Sequence, residues 1–228
     1  MVGLLINLFK TCIIVLVKFM RLRNVKGASE IILKSRYIVN NYFEYKGNFS
    51  CLFGNDNPIH IEVGMGKGDF IIGMALSYPF INFIGIEKFD SVLVRAVQKL
   101  ETLDIPNLRL IRMDAIDIDS VFSREIDCMY LNFSDPWPKE RHSRRRLTSD
   151  AFLTRYDSVF KNTCNIIMKT DNRKLFEFSI ISFNNYGYVI DDLSLDLYSD
   201  DLHGNVQTEY EKKFVLKGNI IYRISVHK

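Results

Sequence analysis

The sequence predicts an α/β fold, a mostly parallel, doubly wound sheet with helices on both faces. Three observations carry that expectation. From Ile59 onward, short apolar runs alternate with amphipathic stretches of helical period. The first run closes in Gly64-Met65-Gly66-Lys67-Gly68, a glycine-rich turn that opens a helix. Three successive runs each close on an acidic side chain, Glu62, Glu87 and Asp114. In open α/β sheets ligands bind outside the carboxyl ends of the strands, where all three acids would lie.

The elements follow in order. Ile59 to Val63 reads as a short apolar strand, and Asp69 to Ser77 as a helix with an acid at its start. Ile81 to Ile86 is a strand, and Ser91 to Leu103 an amphipathic helix with Asp90 as its N-cap. Leu108 to Met113 and Ile126 to Phe133 are strands, and Thr148 to Phe160 has helical character. Cys164 to Lys169 is a further strand, followed by a helix from Asn172 to Tyr186. Tyr188 to Leu197 and Asn219 to Val226 read as two long strands with little between them to form a crossover helix, so antiparallel pairing is open to them. No internal repeat or long linker interrupts the order.

With 228 residues, of which 47% are hydrophobic, the chain suffices for one α/β domain with a full core. A net charge of +3 does not by itself argue for nucleic acid. Local density does more: between Lys139 and Arg146, five of eight residues are Lys or Arg. Cys12, Cys51, Cys128 and Cys164 show no C-x-x-C spacing, so they read as thiols in a reducing compartment, with Cys128 and Cys164 in core strands and no metal site. The expected location is the cytoplasm. Residues 1–19 are apolar but interrupted by Lys10, short for a span of about 20 residues. A membrane anchor and a soluble extension are two readings of residues 1–19.

The glycine turn is spaced G-x-G-x-G, which departs from the dinucleotide pattern G-x-G-x-x-G. Glu62 before it would repel a pyrophosphate but complements a cation. S-adenosylmethionine (SAM) carries an ammonium and a sulfonium and fits that acid better. Gly64, Gly66 and Gly68 would let the backbone approach it closely. Glu87, 19 residues past Gly68, is placed to accept from both ribose hydroxyls. Asp114 is placed to accept from an adenine amino group. The competing reading makes these acids helix N-caps, and Asp114 is the most exposed to it because Asp117 and Asp119 lie close by.

The strand ending at Phe133 runs into Ser134-Asp135-Pro136-Trp137-Pro138 and then the basic run. Exocyclic-amine methylating enzymes carry an Asn/Asp-Pro-Pro-aromatic turn at this place. Here Trp137 stands where the second proline would be. Asp135 is the candidate catalytic carboxylate. Trp137 either stacks on a base or braces the turn. Lys139, Arg141, Arg144, Arg145 and Arg146 suit phosphate contacts, which fix position rather than sequence. Asp171 is either a second functional carboxylate or the cap of the following helix. Thr208-Glu209-Tyr210-Glu211 has the spacing of a capping box.

From about Met20 to the C-terminus the chain resembles the tRNA (guanine-N7-)-methyltransferases of the bacterial TrmB type. Similar proteins begin near such a position, so the resemblance makes Met20 the favoured start, ahead of the other two readings of residues 1–19, and residues 20–228 the single domain. The resemblance rests on Glu62 to Gly68, Gly85-Ile86-Glu87, Leu131 to Leu147, Lys169-Thr170-Asp171-Asn172 and Thr208 to Phe214. It implies a Rossmann-like class I SAM-dependent methyltransferase fold with an antiparallel last strand, and methylation at N7 of a guanine in the tRNA variable loop. It implies that Glu62, Glu87, Asp114 and Asp135 contact SAM, with Asp135 at the reacting centre. Lys139, Asp171, Thr208, Glu209, Tyr210 and Glu211 would hold the guanine. Arg141, His142, Ser143, Arg144, Arg145 and Arg146 would meet the tRNA. No stable protein partner is implied, and no membrane unless residues 1–19 insert. Glu140 stands where a basic residue is commoner.

Three other readings compete. An exocyclic-amine methyltransferase is disfavoured by the altered proline turn. A non-catalytic RNA-binding protein is disfavoured by the intact glycines and acids. A nicotinamide dehydrogenase is disfavoured by the glycine spacing and Glu62.

Overall fold

A computed structural model describes residues 25–200 and 205–228. The expectations for residues 1–19 and for Met20 as the start lie outside these residues. The strands are β1 (Ile59–Val63), β2 (Asn82–Glu87), β3 (Leu108–Arg112), β4 (Ile126–Asn132), β5 (Phe160–Thr170), β6 (Val189–Ser194) and β7 (Tyr222–His227). The helices are α1 (Ala28–Lys34), α2 (Asp69–Ser77), α3 (Asp90–Leu100), α4 (Ile118–Val121), α5 (Asp150–Tyr156), α6 (Arg173–Asn185) and α7 (Glu209–Val215).

The seven strands lie in the order β3-β2-β1-β4-β5-β7-β6. β1 to β5 are mutually parallel. β7 enters antiparallel between β5 and β6, and β6 pairs antiparallel with it. The order reverses between β1 and β4, so a crevice opens above their carboxyl ends, the topological switch point of a doubly wound sheet.

Side chains alternate across the pleat, and the two core layers record it. Met129 and Leu131 of β4 join one layer, with Ile61, Val63, Tyr156, Phe176 and Phe183. Cys128 and Tyr130 join the other, with Phe70, Leu93, Val97 and Leu110. β1 commits Ile59, Ile61 and Val63 to the first layer, so His60 and Glu62 face the second. At Gly68 a Cβ would stand 3.0 Å from the Cβ of Ala96, so glycine there lets the start of α2 close on α3.

α2 has its expected bounds, and Cys128 and Cys164 are buried in strands as expected. Most other bounds move, β6 for one covering only Val189–Ser194 of the expected Tyr188 to Leu197, and four of the shifts have a plain cause. The Thr148 to Phe160 stretch holds only α5, because the chain turns over Asp157–Val159 and Phe160 already pairs with Ile126. β5 therefore starts four residues before Cys164. Asp90 is the first residue of α3 rather than its cap, and its carboxylate pairs with Arg112 at 3.1 Å. β7 begins at Tyr222 rather than Asn219, because Gly218 turns the chain at φ 77°. The segment before β1 carried no expectation. There α1 packs on α3, and Ile38 forms a parallel bridge with Leu110 that covers the β3 edge. Among the described residues no helix is long and apolar enough to cross a membrane.

Candidate active site

Glu62 reaches the switch-point crevice from β1 and is only 1% exposed. Its Oε1 accepts a hydrogen bond from Asn132 Nδ2, at the end of β4, at 2.9 Å. Its Oε2 has no partner among the described residues, and neither does Asn132 Oδ1. Burial pushes the Glu62 carboxyl up to about 8, against the opposing pull of the Asn132 amide, the Lys169 charge and the Ile71 backbone N–H. A buried, half-satisfied carboxylate is costly, and a cationic ligand group set against Oε2 would relieve it. Beside it, a Cβ built on Gly64 or Gly66 would meet nothing within 4 Å, so any side chain there would project into the open cleft. An unpartnered acid beside a side-chain-free loop fits the ammonium end of SAM.

Glu87 closes β2 and is 7% exposed. Its carboxylate ties the site together: Oε1 accepts from the amides of Lys88 and Phe89 at 2.8 and 2.9 Å, and Oε2 from Gly66 at 3.1 Å. Burial raises its pKa, with the Asp135 charge as a lesser cause in the same direction. Asp135 follows β4 at the same carboxyl edge of the sheet. Of about four lone-pair positions on a carboxylate, the Oε2 side keeps one open. Asp114 lies just beyond β3, capping the turn Ala115–Asp117 through the Ile116 amide at 3.2 Å and pairing with Lys88. Burial works against its ionisation, but Lys88 and that amide outweigh it and hold its pKa below the ordinary value. The capping role falls to Asp114 itself, while Asp119 pairs with Arg155 at 2.8 Å.

Past β4 the chain turns sharply. Phe133 and Trp137, neither a glycine, stand at φ 50° and 41°. Asp135 between them is exposed. Trp137 is held edge-on by His142, with ring centroids 5.8 Å apart, and lies under the Arg145 guanidinium at 4.9 Å. Those contacts make it a brace of the turn. Arg146 departs from its expected role. It is 8% exposed, donates to the carbonyls of Pro136 and Trp137 at 3.2 and 3.1 Å, and covers the Phe178 ring at 4.3 Å. It too braces the turn, because the chain following the bend carries it inward. Lys139, Arg141, Arg144 and Arg145 are exposed and have no ion-pair partner among the described residues.

The other wall comes from the far end of the chain. Thr208 caps α7 in a complete capping box with Glu211. Glu211 is fully buried, and its two oxygens accept from Lys169 Nζ at 2.7 Å, Thr208 N at 3.2 Å, and Tyr198 Oη and Asn205 Nδ2 at 2.8 Å each. All four of its acceptor positions are taken, so it acts on the site through the helix it holds. Lys169 is 3% exposed and also donates to Asn205 Oδ1 and the Val206 carbonyl. Burial lowers its pKa while Glu211 pulls it back up. Glu209 reaches across to Lys67 of the glycine turn at 2.7 Å. Tyr210 stacks on Phe214 at 4.0 Å and sits 5.0 Å from Phe133. Its hydroxyl is pushed up to about 12 by burial and then by the charge of Asp171. Asp171 is half-buried, with a 3.5 Å contact from Asn219. Asn172, not Asp171, caps α6, accepting from Leu175 at 2.9 Å.

Between these walls lies a cleft of about 420 Å³, bounded by Glu62, Gly64 to Phe70, Asn132, Phe133 and Thr208 to Tyr210. That is within the size range of small-ligand sites. Glu62, Gly64, Gly66, Gly68, Thr208, Glu209 and Tyr210 converge on it. Glu87 reaches it through Gly66. Asp135, Lys139 and the free arginines stand outside it. Asn132, Phe133 and Lys169 belong to the site without being among the candidates expected from sequence. Asn132 had one available signal, an amide side chain at the end of an otherwise apolar strand.

Residues 56–224 match the protein family described as "Putative methyltransferase". Among solved structures, an antibiotic-related methyltransferase superposes with a TM-score of 0.63 at 18% identity, over 80% of this chain and 93% of its own. The 16S rRNA methyltransferase KamB does so with a TM-score of 0.58 at 12% identity, over 79% and 92%. These likenesses speak to fold alone. With the glycine turn and buried acid at its switch point, the fold defines a Rossmann-like class I SAM-dependent methyltransferase. The tRNA (guanine-N(7)-)-methyltransferases of Bacillus licheniformis and a Geobacillus species are 51% and 53% identical, over 90% and 91% of this chain and 97% and 95% of theirs. That of Streptococcus suis is 49% identical over 90% of this chain. The chain belongs to the tRNA (guanine-N(7)-)-methyltransferase family.

Removing one partner of the buried Lys169–Glu211 pair strands the other charge. Lys169→Met should therefore lower unfolding stability by about 3–5 kcal/mol, and adding Glu211→Met should recover part of the loss. Denaturant unfolding of the two variants measures both. A single-variant loss below about 1 kcal/mol would contradict the pair's role.

Proposed function

We propose that the chain transfers the methyl group of SAM to N7 of a guanine in the tRNA variable loop, giving 7-methylguanosine in the cytoplasm. The observation that carries this reading is identity of about one half, across nine tenths of the chain, to enzymes named for guanine-N7 methylation of tRNA. The site's chemistry supports it.

SAM supplies a methyl group made electrophilic by its cationic sulfur. Glu62 Oε2 would face the cofactor's ammonium, and Gly64 and Gly66 would let its tail lie against the backbone. Glu87 would accept from the ribose, and Asp114 from the adenine amino group once Lys88 yields it. Guanine N7 offers an in-plane lone pair and carries no proton, so a strong base is not needed. Alignment and electrostatic support then do most of the catalysis. The transfer leaves the base cationic, and Asp135 would stabilise that developing charge. Lys139, Asp171, Thr208, Glu209 and Tyr210 would seat the guanine, with Glu211 fixing α7 beneath them. Arg141, His142, Ser143, Arg144 and Arg145 would meet tRNA phosphates.

The direct test is transfer from labelled SAM to unmodified tRNA, followed by nucleoside analysis. Recovery of 7-methylguanosine from the variable loop supports the proposal, and methylation at another atom or none overturns it.

Asp135→Ala should lose about a hundredfold or more in kcat while tRNA affinity holds. A kcat within about twofold of wild type would remove Asp135 from the reacting centre. Arg144→Ala with Arg145→Ala should weaken tRNA binding at every sequence and flatten its salt dependence by about one to two units of log–log slope. An unchanged slope would take these arginines off the phosphates.

Glu62 adds a pH signature. With its carboxyl at about 8 it is mostly protonated near neutrality, and a cation against Oε2 favours the ionised form. Cofactor binding should expel that proton, so affinity should rise with pH below about 8. Between about pH 6 and 7 the cofactor's own α-amino group stays charged. Calorimetry there, in buffers of different ionisation enthalpy, should find more protons released by wild type than by Glu62→Gln. Equal release by the two would refute the assignment.

A further inference from the structure

Extended backbone continued past β4 would send Phe133 to the same face as Met129 and Leu131, into the core layer beneath α5 and α6. It does not go there. At φ 50°, a conformation rare for a bulky side chain, Phe133 turns instead toward the cleft. Two anchors keep it so. The preceding Asn132 is fastened to Glu62 at 2.9 Å, and the Phe133 amide donates to the Lys169 carbonyl at 2.8 Å. The ring belongs to neither core layer and is half-exposed. It stands 5.0 Å from Tyr210, which is backed in turn by Phe214. An aromatic side chain held in a strained conformation at a cleft wall, two residues before Asp135, is placed for a ligand rather than for the core.

We propose that Phe133 stacks on the substrate guanine and, with Tyr210, forms the aromatic wall that seats the base beside Asp135. The inference rests on the guanine-N7 reading of this site and adds a residue to it. Attack by the N7 lone pair forms the N7–C bond, breaks the S–C bond and leaves the positive charge on the purine. Aromatic faces attract cations. The stack therefore tightens as the charge develops, and its contribution should appear in kcat as well as in KM for tRNA.

The test compares Phe133→Leu, Phe133→Gly, Phe133→Tyr and Phe133→Trp in the full chain. Glycine adopts the positive φ without strain, so Phe133→Gly keeps the backbone even where leucine disturbs it. Leucine and glycine should each lower kcat/KM for tRNA about tenfold or more, the scale of losing one base–aromatic stack. Tyrosine and tryptophan should keep most of the activity, and the SAM Kd should stay within about twofold in all four. Three results would overturn the proposal. The leucine and glycine variants could match wild type. The aromatic variants could fare no better than leucine, which would make the ring a mere latch on α7. The SAM Kd could weaken as much as kcat/KM, which would assign the ring to the cofactor. Failure of the wider reading looks different, because wild type itself would then yield no 7-methylguanosine.

Discussion

The ion pair between Lys169 and Glu211 is the contact on which the site's geometry depends. A buried ammonium and a buried carboxylate are expensive unless every donor and acceptor is met. Here they are met: Lys169 donates to Glu211, Asn205 and Val206, and Glu211 fills its remaining positions with Thr208, Tyr198 and Asn205. The pair joins β5 to α7, two elements that would otherwise share little. α7 has seven residues, too few to be stable as an isolated helix. Fastened to the sheet, it delivers Glu209 to the glycine turn and Tyr210 to Phe133.

Charge is sorted by depth around that frame. The acids Glu62 and Glu87 are buried at the strand ends, where low polarity strengthens their attraction for a cationic cofactor. Lys169 is near Glu62 but committed to Glu211, so it offsets only part of the demand. Cations gather outside, at Lys139, Arg141, Arg144 and Arg145, where they remain hydrated and suited to phosphates. Asp135 stands between the two zones on a turn stiffened by two prolines, by Trp137 and by Arg146. A cationic cofactor from one side and a polyanion from the other would meet there.

The parallel sheet and the glycine turn were legible because apolar period and glycine spacing encode them directly. So was the capping box, because Thr208 and Glu211 satisfy each other locally. Arg146 was not, since nothing in a run of three arginines marks the one that the bend turns inward. Lys169 was passed over because a lysine near a strand end reads as surface, and its partner lies 42 residues away. The positive φ of Phe133 and Trp137 carries no glycine or asparagine to announce it, and tertiary anchors impose it. Whether Asp171 serves the site or caps α6 was not legible, because its side chain suits both roles, and it is Asn172, one residue on, that takes the cap. The end of the Thr148 to Phe160 stretch was misjudged because its apolar residues serve a helix first and then a strand.

The buried pair, rather than helix propensity, orders α7. Amide hydrogen exchange of the native chain is the measurement that decides this. The amide that closes the end of α7, Leu216, which donates to the Lys212 carbonyl, should be protected nearly as well as those of β5. Exchange of that amide at the rate of an exposed loop, with β5 still protected, would show that the pair does not order the helix.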